Sequence, residues 1–244
     1  MAETLNSRLQ QLANAMLAPA GLHLLRRDRA FDMPGLLARA AARQPAPATL
    51  IDVGASNGIW SRRAHRHFPR AKFLLFEPLA ERQAALDELK ATHGFDFVPA
   101  VAGARAGSIS FAVDPALDGS SVTAPGTPGS RTVPVETIDA AVAVRHLPGP
   151  YGLKLDTHGY ELPVLEGATE VLRNTALLII EAYNFQLTPG CLRFHELCAW
   201  LEARGFRCCD LADPMRRPGD GVLWQMDLAF APADSPLFSS NRYV

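Results

Sequence analysis

From Thr49 to Phe230 short apolar runs alternate with amphipathic stretches, and no feature of the chain constrains its fold more. The runs cover residues 50–53, 72–76, 95–101, 153–155, 176–180, 206–211 and 222–230. Helical periodicity fills 59–68, 79–92, 163–172 (with Pro163 in its first turn) and 192–204, which Gly205 ends. Short buried strands alternating with helices specify a mostly parallel sheet covered on both faces. The last two strands are joined by a Pro/Gly loop without a helix, so one of them runs antiparallel. The expected architecture is α/β: a doubly wound, mostly parallel seven-stranded sheet with an antiparallel last strand.

Two regions stand outside this alternation. Residues 108–113 and 131–135 read as short strands around Asp118-Gly119-Ser120-Ser121 and a stretch rich in Gly, Pro, Ser and Thr, which predicts a β-hairpin insert beside the site. Residues 1–47 predict an N-terminal helical arm ahead of a main domain at 48–244. Leu5, Leu9, Leu12 and Met16 recur at helical spacing, Pro19 and Gly21 interrupt, and a second helix spans 31–43. The arm packs on the main domain or on a partner, which leaves a homo-oligomer open.

Composition narrows the function. A net charge of -1 argues against a protein built mainly to hold nucleic acid, which needs a concentrated basic footprint. Two arginine groups, Arg26, Arg27 and Arg29 and then Arg62, Arg63 and Arg66, read as solvated faces or loops. Cys191, Cys198, Cys208 and Cys209 form no C-x-x-C pair, so neither a zinc site nor a disulfide framework is expected, and reduced thiols fit a cytoplasmic protein. The opening Met-Ala-Glu-Thr lacks a signal-peptide pattern, and no apolar run nears the roughly 20 residues that cross a bilayer.

The sharpest local feature is Leu50-Ile51-Asp52-Val53-Gly54-Ala55-Ser56-Asn57-Gly58: a buried strand, a turn of small residues, then a helix. Glycines let backbone approach a ligand, and in doubly wound sheets ligands sit at the carboxyl ends of the strands. The spacing G-x-x-x-G is neither the G-x-G-x-x-G of dinucleotide binders nor a P-loop. Glu77 ends the next strand, where a carboxylate can accept hydrogen bonds from both ribose hydroxyls. The pair favours S-adenosylmethionine over a nicotinamide cofactor.

The run Leu153-Lys154-Leu155-Asp156-Thr157-His158-Gly159-Tyr160-Glu161, followed by Val164-Leu165-Glu166-Gly167-Ala168, resembles the signature of the FkbM family of methyltransferases. Asp52-Val53-Gly54-Ala55, Phe76-Glu77-Pro78, Gly119-Ser120-Ser121 and Val135-Glu136-Thr137-Ile138-Asp139 resemble its other motifs, over about residues 49–231. The resemblance implies a class I methyltransferase (Rossmann-like) fold in the domain 48–244, S-adenosylmethionine as donor, and commonly a hydroxyl acceptor on a sugar or other small molecule. It implies that Asp52, Gly54, Ala55, Ser56, Gly58 and Glu77 bind the donor and that Ala100 and Val101 flank adenine. His158 departs from the family, which usually has an acidic residue or Gln there.

Methyl transfer needs an acceptor held in line with the sulfonium, and an alcohol needs a base. Asp156 ends the fourth strand and His158 lies two residues on. The expected catalytic pair is His158 as base with Asp156 orienting it or contacting the donor's amino group. No metal is expected in that scheme. The minor alternative is an oxygen-rich magnesium site from Asp156 and Glu181, completed by Asp139 or His158. Other readings are an N- or C-methyltransferase, one acting on a protein or lipid-linked glycan, or a non-catalytic donor-binding partner subunit.

Overall fold

Parallel pairing aligns the strand ends on which everything else depends. In the computed structural model, β1 (Thr49–Val53) lies between β2 (Lys72–Phe76) and β8 (Tyr151–Leu155), with Val53 opposite both Phe76 and Leu155. β8 pairs with β9 (Thr175–Tyr183), with Leu155 opposite Ile180. The next residues of the four strands, Gly54, Glu77, Asp156 and Glu181, therefore form one row along the carboxyl edge. The structure describes residues 2–25, 30–43 and 45–243, with side chains from residue 9 onward.

The sheet order is β10-β11-β9-β8-β1-β2-β3, where β3 is Asp96–Val98, β10 Phe206–Arg216 and β11 Leu223–Pro232. β11 runs antiparallel to both neighbours, the reversal expected where no helix joins the last two strands. One face is covered by α5 (Ile138–Val144), α6 (Glu161–Glu166), α7 (Thr169–Leu172) and α8 (Phe194–Glu202), which bury Ile138, Leu165, Val171 and Leu201 against Ile51, Val53 and Leu155. The other is covered by α2 (Met33–Ala41), α3 (Ile59–His65) and α4 (Gln83–His93), with Leu36, Ala64 and Leu86 on Leu50, Leu75 and Ile179. Alternation along each central strand feeds both cores, as period-two geometry requires.

Two elements differ from the sequence expectation. The run 95–101 splits at Pro99 and Ala100: β3 stays in the main sheet, and β4 (Val101–Ala102) joins a second sheet of order β4-β7-β5-β6. Proline has no N–H to continue the ladder, and the Ala100 N–H turns back to the Val98 carbonyl at 2.9 Å. The helix expected over 163–172 begins at Glu161 and breaks at Gly167 and Ala168. The break follows from Asp139, whose carboxylate accepts the N–H groups of Glu170 and Val171 at 3.0 and 2.9 Å and so starts α7 afresh.

The insert is larger than a hairpin. β5 (Gly107–Ala112) and β7 (Ser130–Glu136) pair antiparallel as expected, and β6 (Ser121–Val122) and β4 complete four strands around Val101, Phe111, Val133 and Val135. In the arm, Asp32 caps α2 by accepting the Gly35 N–H at 2.7 Å, and Arg39 donates two hydrogen bonds to Asp210 on β10. α2 thereby becomes part of the core. On α1 (Ala2–Leu17) the stripe remains open, with Leu12 65% and Met16 82% exposed. The Leu5 side chain and Arg26, Arg27 and Arg29 lie outside the described residues. Among the described residues no helix is long and apolar enough to cross a membrane.

Candidate active site at the carboxyl edge of the sheet

The row of strand ends opens into a cavity of about 330 Å³, within the range typical of small-molecule sites. Its walls include Val53, Gly54, Ser56, Phe76 and Glu77 from β1 and β2, Ala100 to Ala102, Phe111 and Val122 from the insert side, and Asp156, His158 and Glu181 from β8 and β9.

Gly54 has φ 76°, and a Cβ there would stand 2.0 Å from the Asp156 carbonyl oxygen, so only glycine lets β1 leave the sheet so close to β8. The turn then closes on Glu77. One Glu77 oxygen accepts the Ser56 N–H at 2.8 Å and the other the Leu79 N–H at 2.9 Å. Burial raises the Glu77 pKa above the usual range against the pull of these two N–H groups. Each oxygen keeps a lone pair for a ligand. A positive-φ turn, a buried carboxylate at the cavity wall and the apolar flank of Phe76, Ala100 and Val101 fit the adenosine part of S-adenosylmethionine.

Three of the residues expected on the donor do not reach the cavity. Asp52 is fully buried, on the α3 side of the sheet. It accepts the Ser61 hydroxyl at 2.6 Å and lies 3.6 Å from the Lys154 ammonium, so it braces the site from below and does not line the cavity. Burial raises its pKa, opposed by Lys154. Ala55 is buried in the same layer, its N–H bonded to the Phe76 carbonyl at 3.0 Å. Gly58 starts α3 with φ 71°, where a Cβ would meet Leu89 at 2.1 Å. Both shape the turn, while Gly54, Ser56, Glu77, Ala100, Val101, Asp156 and His158 all line the cavity.

The β8–β9 side is crowded with charge. Lys154 donates to Asp156 at 2.9 Å. Burial pulls the Lys154 pKa down, but the Asp156 and Asp52 carboxylates together outweigh it. Asp156 is likewise pushed up by burial and drawn below the usual carboxylate range by Lys154. His158, with φ 53°, faces the Asp118 carbonyl through Nε2 at 2.9 Å and the Tyr183 hydroxyl through Nδ1 at 2.9 Å, with Glu181 at 3.3 Å. Glu181 raises the His158 pKa to about 9 against the effect of burial. His158, the base expected from sequence, is thus held among a carbonyl, a phenol and a carboxylate, and Glu181 favours its protonated form. Tyr183 donates to Glu181, as does the Gln225 amide. Asp227, opposite Glu181 on β11, is pushed up to about 7 by burial.

Asp139 takes no part. Its carboxylate is committed to the start of α7, so the acidic trio proposed from sequence does not assemble; Asp156, His158 and Glu181 do, with ligand atoms within 4.8 Å of one another. Glu161 ties the loop, accepting the Thr157 hydroxyl at 3.0 Å and the Gly159 N–H at 2.9 Å. Sequence reasoning missed Tyr183 and Asp118. Tyr183 had a signal, since two residues after Glu181 on a strand is the same face. Asp118 was placed in an insert beside the site but given no role: its side chain receives the Ser56 hydroxyl at 2.9 Å and Arg82 at 2.5 Å while its carbonyl receives His158, so the insert loop straps the cavity from both sides.

A doubly wound sheet of this order, with a glycine turn after β1 and an acid after β2, defines a class I methyltransferase fold. Residues 52–208 match the methyltransferase FkbM domain, and the chain belongs to that family. Among solved structures it is similar to the FkbM methyltransferase of Methylobacillus flagellatus KT (16% identity, 74% of this chain and 43% of that one, TM-score 0.48). It is also similar to a putative tRNA (m1A22) methyltransferase of Streptococcus pneumoniae in complex with S-adenosyl-L-methionine (15% identity, 82% and 71% coverage, TM-score 0.46). A third is the 1,6-didemethyltoxoflavin-N1-methyltransferase of Burkholderia thailandensis (13% identity, 82% and 76% coverage, TM-score 0.47). The chain spans less than half the length of the M. flagellatus protein. No curated protein matches it.

Proposed function

We propose that the chain transfers a methyl group from S-adenosylmethionine to a hydroxyl of a small-molecule acceptor, a sugar or other natural product. The observation that carries this reading is the row Glu77, Gly54, Asp156 and Glu181, which strand register places across one cavity. S-adenosylmethionine, when bound, supplies a methyl group on a positively charged sulfur.

The chain's residues do the rest. Glu77, held rigid by two backbone N–H groups, accepts hydrogen bonds from the ribose hydroxyls. Phe76, Ala100 and Val101 flank the flat base. The Asp156 oxygen not taken by Lys154 receives the donor's ammonium or orients the neighbouring His158. The strap of Asp118 and the apolar insert exclude water and hold the acceptor in line, and such positioning supplies much of the rate of a displacement. An alcohol differs from an amine in needing its proton removed, and the carboxylates and imidazole beside the cavity suit that task.

The test is transfer from methyl-labelled donor to a panel of sugars and natural products carrying hydroxyls, amines or both, with the methylated atom located by NMR. The expected product is an O-methyl ether. Exclusive N-methylation, or no transfer by protein that binds the donor, would overturn the hydroxyl assignment.

A further inference from the structure

We infer that Asp156, His158 and Glu181 form a binding site for one divalent cation of the magnesium and manganese class, on the cavity wall where the acceptor hydroxyl would lie. The role given to the cation rests on the methyl-transfer reading above; the site itself rests on geometry.

The first observation is distance. Ligand atoms from the three side chains lie within 4.8 Å of one another, close enough for one ion to reach all three at about 2.0–2.6 Å, the range of hard cations with oxygen ligands. All three side chains line the cavity, so further positions remain for water or an acceptor oxygen.

The second is an inventory of protons. His158 Nε2 faces a backbone carbonyl at 2.9 Å and must carry its N–H there. Tyr183 has one hydroxyl proton, and it goes to Glu181. Three lone pairs then converge on one place: His158 Nδ1, the Tyr183 oxygen 2.9 Å away, and the Glu181 oxygen 3.3 Å away. Facing acceptors repel unless something positive lies between them. A second proton on His158 is one solution, the Tyr183 hydroxyl proton turned onto Nδ1 is another, and a metal ion on the Asp156, His158 and Glu181 cluster is the third.

The third is the supporting shell. Ligating histidines usually donate their other N–H to a carbonyl or carboxylate, and ligating carboxylates are themselves hydrogen-bonded. Here the Asp118 carbonyl fixes the imidazole, Lys154 holds Asp156, and Tyr183 with Gln225 holds Glu181. Formal charge agrees. Lys154 is a single buried ammonium among Asp156, Asp52 and Asp227, Glu181 stands opposite Asp227, and a divalent ion offsets the surplus of carboxylates. Two carboxylates with one imidazole favour magnesium or manganese over metals that prefer thiolates.

Such an ion would acidify an acceptor hydroxyl beside it and remove the need for a neutral imidazole. The acceptor loses its proton to water, its oxygen forms the new C–O bond, and the C–S bond breaks with its electron pair returning to sulfur.

Manganese titration of the full chain, followed by electron paramagnetic resonance of the free ion, tests the site. The expected result is about one ion per chain, displaced by magnesium, with affinity reduced at least about tenfold in Glu181→Gln and in His158→Gln. Lack of saturable binding to folded protein, or unchanged affinity in both variants, overturns the site. Should either variant fail to fold, Asp156→Asn takes its place. S-adenosylhomocysteine titrated alongside separates the two readings. Its binding without manganese binding overturns the cation site and leaves methyl transfer standing, whereas manganese binding without it supports the site and counts against methyl transfer.

Discussion

The two halves of the carboxyl edge are built on opposite principles. On the β1–β2 side a single acid, Glu77, has both oxygens committed to backbone N–H groups, and its neighbours Phe76, Ala100 and Val101 are apolar. On the β8–β9–β11 side, Asp156, His158, Glu181, Tyr183 and Asp227 are tied to one another and to Lys154. The first half is a preformed mould, which on the proposed function receives the adenosine and its two ribose hydroxyls. The second is a network of coupled charges and hydrogen bonds. On the proposed function the donor occupies the first half and the acceptor the second, where the titratable groups are densest.

Breaking the mould should have the largest effect. Gly54→Ala forces a Cβ against the Asp156 carbonyl at a positive φ, and should cost about 3 kcal/mol or more in urea unfolding and abolish donor binding. An alanine variant as stable as the parent would mean the turn is not the rigid joint described. Next comes the brace beneath the other half. Asp52→Asn removes one of the two carboxylates within ion-pair distance of a buried ammonium and should lower stability by about 3 kcal/mol, while donor affinity in the folded fraction changes little because Asp52 does not line the cavity. A large affinity loss at unchanged stability would place Asp52 on the ligand after all.

Glu77→Gln should weaken donor binding by roughly 10- to 100-fold, the worth of hydrogen bonds to a charged group. The same carboxylate sets a pH dependence. Because burial raises its pKa, its ionised form is lost earlier on acidification than that of a solvent glutamate, so donor affinity should fall on acidification in the parent, at higher pH than a solvent glutamate would give, and stay flatter in the Gln variant. Equal profiles would exclude Glu77 as the controlling group. The smallest effect belongs to the strap. Asp118→Ala removes contacts made by a largely exposed carboxylate and should change donor affinity by less than about fivefold, mainly through faster release measured by stopped flow.

Legibility in the sequence followed the same division. The alternation of strands and helices, the reversed last strand, the Gly54 turn and the acid Glu77 at the end of β2 were readable because each depends on neighbours a few residues away. The acceptor half depends on long-range register. Nothing near Asp139 announces that it starts α7, thirty residues on, instead of joining Asp156 and Glu181. His158 was visible as a titratable group, but its protonation follows from Glu181, Tyr183 and the Asp118 carbonyl, which only the fold brings to it. The arm gives the same lesson: α1 and α2 both show apolar helical periodicity, yet Leu36 and Leu37 are fully buried while Leu12 and Met16 are exposed, because periodicity fixes a face and not what covers it.

Calorimetric titration of the intact chain with S-adenosylmethionine and S-adenosylhomocysteine, beside Glu77→Gln, tests the central claim most directly. The account predicts one site per chain for both ligands, weakened in the variant. A folded parent that binds neither ligand, or a variant that binds both as tightly as the parent, would contradict it.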